Sequence, residues 1–115
     1  MPSETKIAVL DMDQLRDICM EDEELMRELV TALIEDAKAH IPALEKAVER
    51  ADATNCARLA HYVKGACANV GAVSMASILT SIERSAAAAD FDACQTSLSS
   101  LALELQKFSF EAASI

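Results

Sequence analysis

Apolar residues recur along most of the chain at steps of three and four, the spacing of one face of an α-helix. Leu10, Leu15 and Ile18 predict a short helix from about Asp11 to Met20, with Asp11 or Asp13 placed to cap the free amides at its start. A longer segment opens at Asp22, where Glu23 and Glu24 in the first turn favour the helix dipole. Its apolar stripe runs through Met26, Leu29, Val30, Leu33, Ile34, Ala37, Ile41, Leu44 and Val48, while Glu28, Glu35, Lys38, Glu45, Lys46 and Glu49 take the other side. Pro42 lacks an amide donor and disfavours helical geometry at Ile41, so a bend or break is expected over residues 39–42.

Asp52 is placed to cap a further helix that runs to about Val70, and Gly71 suits its end. From about Ala72 to Ala89, Met75, Ile78, Leu79, Ile82 and Ala86 share one face, with Ser74, Ser77, Ser81 and Arg84 elsewhere. Asp90 caps a last helix whose Phe91, Cys94, Leu98, Leu101, Leu105 and Phe108 form a seam for antiparallel packing. The dipeptides Ala51-Asp52 and Ala89-Asp90 both precede helix starts, which reflects shared capping and not an internal repeat. Short connections make neighbouring helices antiparallel. The expected fold is therefore all-α, an antiparallel four-helix bundle with an additional short N-terminal helix. Residues 10–112 make up the domain, and residues 1–9 are expected to be a flexible leader.

Composition supports a single helical domain. A chain of 115 residues can bury one modest core, and with three Phe, one Tyr and no Trp that core is thin and aliphatic. Two Gly and two Pro leave little turn chemistry for a sheet. The formal charge of −9 repels phosphate backbones and anionic headgroups, so no nucleic acid and no membrane is expected as a partner. The apolar runs fall short of the roughly 18–20 residues of a membrane span, and no signal pattern opens the chain, which makes it cytoplasmic by expectation. Cys19, Cys56, Cys67 and Cys94 contain no C-x-x-C pair, and three of them fall on apolar stripes. They are expected as reduced, buried small hydrophobes, with a redox role left open.

The stretch from His61 to Ala72 is the informative part. At about 100° per residue, Cys56, Leu59, Val63, Cys67 and Val70 share a buried stripe and His61 points roughly opposite. Ala57 at i−4, Gly65 at i+4 and Ala68 at i+7 leave the surface around the imidazole without bulk, and Arg58 and Lys64 are the only charges nearby in sequence. A low, flat, slightly basic face results, one a partner can reach. With an unperturbed pKa near 6.5, an exposed imidazole is largely neutral at neutral pH and has a free lone pair able to attack phosphorus. Lys64, one turn on, can place an ammonium beside a phosphoryl group. Gly65 costs about 1 kcal/mol of helix propensity relative to Ala, which invites a functional reason such as clearance for an approaching protein.

His61, Lys64, Gly65, Ala68, Asn69 and the Gly71-Ala72 pair resemble the histidine phosphotransfer (HPt) family, whose signature is H-x-x-K-G-x-x-x-x-x-G-A; the preceding Ala-His step is also typical. The resemblance covers nearly the whole chain and implies a four-helix bundle with the phosphorylatable histidine at mid-helix. It further implies a stand-alone phosphorelay intermediate without kinase activity. His61 would accept a phosphoryl group from a receiver-domain aspartate and pass it to another receiver, with Lys64 stabilising its charge. Ala57, Arg58, Gly65 and Ala68 would form the docking surface. The implied partners are response-regulator receiver domains and a hybrid sensor kinase; the receiver would supply Mg²⁺, and this chain would bind no cofactor or metal. Ala66 and Cys67 stand where many members carry Ser, and Tyr62 and Val63 also replace commoner choices.

Two other readings remain beside this one. An HPt-like bundle can dock a receiver without carrying phosphate, although His61 and Lys64 together argue against that. A metal-binding bundle enzyme lacks the paired E-x-x-H ligands on facing helices that its chemistry needs. His40, near the apolar stripe and Pro42, is expected to be a partly buried or helix-end residue without a role, Asn69 to serve hydrogen bonding at the helix end, and the chain to be a monomer.

Overall fold

Asp side chains open four of the five helices. The computed structural model describes residues 8–115, which form α1 (Met12–Ile18), α2 (Glu23–Glu49), α3 (Ala53–Val70), α4 (Val73–Ala87) and α5 (Phe91–Ala112). Asp11, Asp22, Asp52 and Asp90 each accept a hydrogen bond from a backbone amide of the first turn of α1, α2, α3 and α5. Each such cap contributes about 1 kcal/mol by occupying an otherwise orphaned donor. The two Ala-Asp pairs gain a full explanation here. Ala51 and Ala89 adopt left-handed φ of 53° and 57°, which turns the chain after α2 and after α4, and the following Asp at once caps the next helix. The amides of Asp52 and Asp90 also reach back to the carbonyls of Ala47 and Ser85 at 2.9 and 2.8 Å, completing the helix ends.

α2 to α5 form the expected bundle, α2 and α4 each packing on both α3 and α5. Leu44, Val63, Met75, Leu79, Ile82, Leu98, Leu101 and Phe108 are fully buried at its centre. All four cysteines are free and buried, and burial pushes the Cys56 and Cys67 thiols up to about 11 and about 12. They pack as small apolar residues.

Of the bend or break expected at residues 39–42, the break does not occur: α2 runs unbroken from Glu23 to Glu49 with Pro42 inside it. Pro42 is exposed, so the Lys38 carbonyl that loses its amide partner lies on the outer side of the helix. Leu33 and Ala37 before the proline and Leu44, Ala47 and Val48 after it are all buried. Their packing outweighs the roughly 3 kcal/mol intrinsic cost of an internal proline.

α1 closes over the α3–α4 turn. The Asp11 amide donates to the Gly71 carbonyl at 2.8 Å, the Gln14 side-chain amide donates to the Ala68 carbonyl, and Leu15 is fully buried beneath. Residues 1–7 of the expected leader lie outside the described residues. Its last two residues are anchored, since the Ala8 carbonyl accepts from the Ser74 amide at 3.0 Å and Val9 packs against the core.

Gly71 has φ +88°, and a Cβ there would stand 2.9 Å from the Asp11 carbonyl oxygen. Gly71→Ala is therefore expected to destabilise the fold by about 1–3 kcal/mol, combining left-handed strain with a backbone clash. Ala89→Gly, which relieves the left-handed φ at an exposed position, is expected to stabilise it by about 1 kcal/mol. Chemical denaturation of the two variants checks both signs.

Candidate functional site

His61 lies midway along α3 with its side chain 70% exposed, on the opposite side from the buried Leu59, Ala60 and Val63. Its ring is held by a residue of α4. Nδ1 lies 3.1 Å from Oε2 of Glu83, and because an ionised carboxylate only accepts, Nδ1 carries the proton and donates it. In the neutral ring Nε2 then holds the free lone pair. The same carboxylate binds Lys64, whose Nζ stands 2.6 Å from Oε1. One acidic side chain thus orients both the imidazole and the ammonium.

Burial pushes the Glu83 carboxyl up, but hydrogen bonds and charge from Lys64 and His61 outweigh it, so the group is held below the ordinary glutamate value. Glu83 is accordingly ionised at neutral pH. Lys64 and Arg58 are not the only charges beside His61, since Glu83 joins them from α4, but two cations against one carboxylate keep the face slightly basic as expected. Glu83 neutralises Lys64, and the exposed Arg58 turns back to donate to the Oδ1 of Asn55.

The remaining residues singled out in the sequence surround the ring unequally. Gly65 is exposed, and no side chain or other element comes within 4 Å of where its Cβ would stand. Ala57 is half-buried and Ala68 is exposed, the latter beside α1 through its carbonyl bond to Gln14. On the α2 side, Tyr62 lies against His40, ring centroids 4.7 Å apart. His40 is a partly buried residue in the middle of α2 and not at a helix end. Asn69 lies in the last turn of α3, which Gly71 closes through its own amide, and its side chain lines a groove between α2 and α3. Among the described residues no three His, Cys, Asp or Glu side chains converge as metal ligands, and no helix is long and apolar enough to cross a membrane.

Glu83 is the candidate-site residue that sequence reasoning missed. Its signal was present but indirect: it is the only acidic residue of α4, and folding α4 back on α3 about Gly71 brings it within a turn of His61.

Such an arrangement can perform nucleophilic attack at Nε2 with the ring's other nitrogen protonated and paired, beside an ammonium able to meet a second anion. Because ionised Glu83 stabilises the fold, its contribution is present above pH about 4.5 and fades as pH falls through its lowered pKa. Glu83→Gln is expected to flatten the pH dependence of stability below that value; an unchanged slope in acid denaturation would show that the carboxylate is unpaired in solution. Gly65→Ala is expected to raise stability by about 0.5–1 kcal/mol through helix propensity alone, and a loss in urea denaturation would instead assign Gly65 a packing role.

The comparisons with known proteins bear on the fold and the family. The crystal structure of histidine-containing phosphotransfer protein B (HptB) from Pseudomonas aeruginosa PAO1 shares the fold, with a TM-score of 0.82 at 22% identity over 93% of this chain and 96% of that one. No curated protein sequence matches. The sequence model of the Hpt domain matches residues 28–109, a stretch that includes His61, Lys64 and Glu83. With that match spanning most of its length, this chain belongs to the Hpt domain family.

Proposed function

We propose that the chain is a phosphorelay carrier in which His61 takes a phosphoryl group from the aspartyl phosphate of one receiver domain and delivers it to the aspartate of another. The observation that carries this reading is the Glu83 carboxylate on Nδ1, which leaves Nε2 as the exposed nucleophile. In the forward step the Nε2 lone pair forms the N–P bond, the P–O bond to the receiver aspartate breaks, and that carboxylate leaves. The ring gains positive charge and keeps its Nδ1 proton, which Glu83 already accepts as a hydrogen bond. No proton has to leave His61, so the reverse step is equally direct.

Lys64 supplies the second charge. It starts paired with Glu83 and lies one turn from His61, so a phosphoryl group on Nε2 brings its oxygens toward an ammonium already in place. Pre-positioned charge of this kind, together with alignment of the attacking atom, is the main requirement of phosphoryl transfer. Mg²⁺ would be supplied by the receiver, as would most of the acidic groups around the reacting phosphorus. Gly65 and Ala68 keep the approach to Nε2 low, Ala57 and Arg58 border it, and a hybrid sensor kinase would load the first receiver.

The test is transfer of label from a panel of purified receiver domains phosphorylated with radiolabelled acetyl phosphate. Acid-labile, alkali-stable phosphate is expected on the wild-type chain and none on His61→Gln; label that persists in that variant overturns the assignment. Lys64→Ala is expected to slow transfer by about 10- to 100-fold while the fold is retained, matching the roughly 1.5–3 kcal/mol of a hydrogen bond to a charged group. Glu83→Ala is expected to slow it as well, with Glu83→Gln recovering part of the rate because an amide oxygen still accepts from Nδ1.

A further inference from the structure

The two flanks of His61 are built differently. On the α4 side stands the carboxylate that orients the ring. On the α2 side stands Tyr62, 53% exposed and the large apolar side chain next in sequence to His61; Ile18, Met20, Leu25, Leu103 and Phe110, also exposed, lie on other helices or their connections. Tyr62 does not hang free. Its ring rests on that of His40 with centroids 4.7 Å apart and planes at 34°. His40 is in turn latched to one residue of its own helix, Nδ1 lying 2.8 Å from the Asp36 carbonyl oxygen and 3.2 Å from Asp36 Oδ1. An exposed aromatic ring is therefore seated on an imidazole that two contacts hold in place.

Next to this pair runs an open groove of about 620 Å³ between α2 and α3, lined by Asp36, Ala39, Ala66 and Asn69 among others. A protein that brings a phosphoryl group to His61 must cover the surface around it. A standard interface buries about 800 Å² per partner, a disc of roughly 16 Å radius, so a footprint centred on His61 holds Tyr62 near its centre. Central aromatic residues contribute disproportionately to affinity because they offer large contact area with few rotatable bonds. A ring already ordered before binding loses less conformational freedom on association.

We propose that Tyr62, seated on His40 and steadied through Asp36, is the affinity-determining anchor for the receiver domain, acting on docking and not on the chemical step. The inference rests on the phosphotransfer reading and commits to a receiver that presents an apolar patch beside its phosphorylated aspartate. Tyr62 is the anchor; His40 and Asp36 are positioning residues.

The experiment compares transfer from the same acetyl-phosphate-loaded receiver panel with labelling by phosphoramidate, a small donor that needs no docking surface. For Tyr62→Ala, KM for the phosphorylated receiver is expected to rise about tenfold or more with kcat within about twofold, while phosphoramidate labels His61 as in the wild type. Tyr62→Phe keeps the ring and is expected to keep the wild-type KM; His40→Ala removes the seat and is expected to raise KM by a smaller factor. The proposal is overturned by an unchanged KM in Tyr62→Ala, by a loss confined to kcat, by an equal loss with phosphoramidate, by Tyr62→Phe behaving as Tyr62→Ala, or by His40→Ala without effect. Failure of phosphoramidate and of every receiver to label wild-type His61 overturns the phosphotransfer reading itself.

Discussion

The turn at Gly71 sets the register of α3 against α4, and the site depends on that register. A left-handed φ at this residue ends α3, lets α4 begin two residues later, and turns the Gly71 carbonyl to accept from both the Val73 and the Asp11 amides. α4 has no side-chain cap of its own, so its start is defined by the turn and by the bond from the Ser74 amide to Ala8. One more residue in the turn would rotate α4 by about 100°, and Glu83 would no longer face His61. The short N-terminal helix, whose only buried residue is Leu15, therefore matters chiefly for what it clamps.

A single carboxylate, delivered by that register, makes the site coherent. Glu83 is buried enough to feel desolvation, yet the Lys64 ammonium and the His61 ring together hold it ionised. An isolated surface histidine can present either nitrogen, and an isolated surface lysine samples many rotamers. Bridged through Glu83, both are restricted. The carboxylate meets His61 from the α4 side and the Tyr62–His40 ring pair stands on the α2 side, so the two contacts do not compete for space.

The helical stripes, the acidic caps and the outward direction of His61 were legible from residue spacing because each is a local property of an α-helix. Gly65 was legible for the same reason, as an unfavourable residue on an exposed helix face. Pro42 does not break α2, because buried residues on both sides of it pack in one register and outweigh its local penalty. The carboxylate beside His61 was not legible for a related reason: a count of charges along α3 cannot include a residue that arrives from another helix.

By itself, then, the chain's pattern determined the all-helical fold, the order of the helices, the exposed histidine and its lysine one turn away, since these follow from periodicity and from pairs three or four residues apart. Only the tertiary structure decided which nitrogen of His61 is free, what Lys64 pairs with, and what Tyr62 rests on. Those contacts join α3 to α4 and to α2 across separations of 22 residues in both cases, His61 to Glu83 and Tyr62 to His40. Such contacts depend on helix register and crossing, which turn geometry and core packing set together and no single helix encodes.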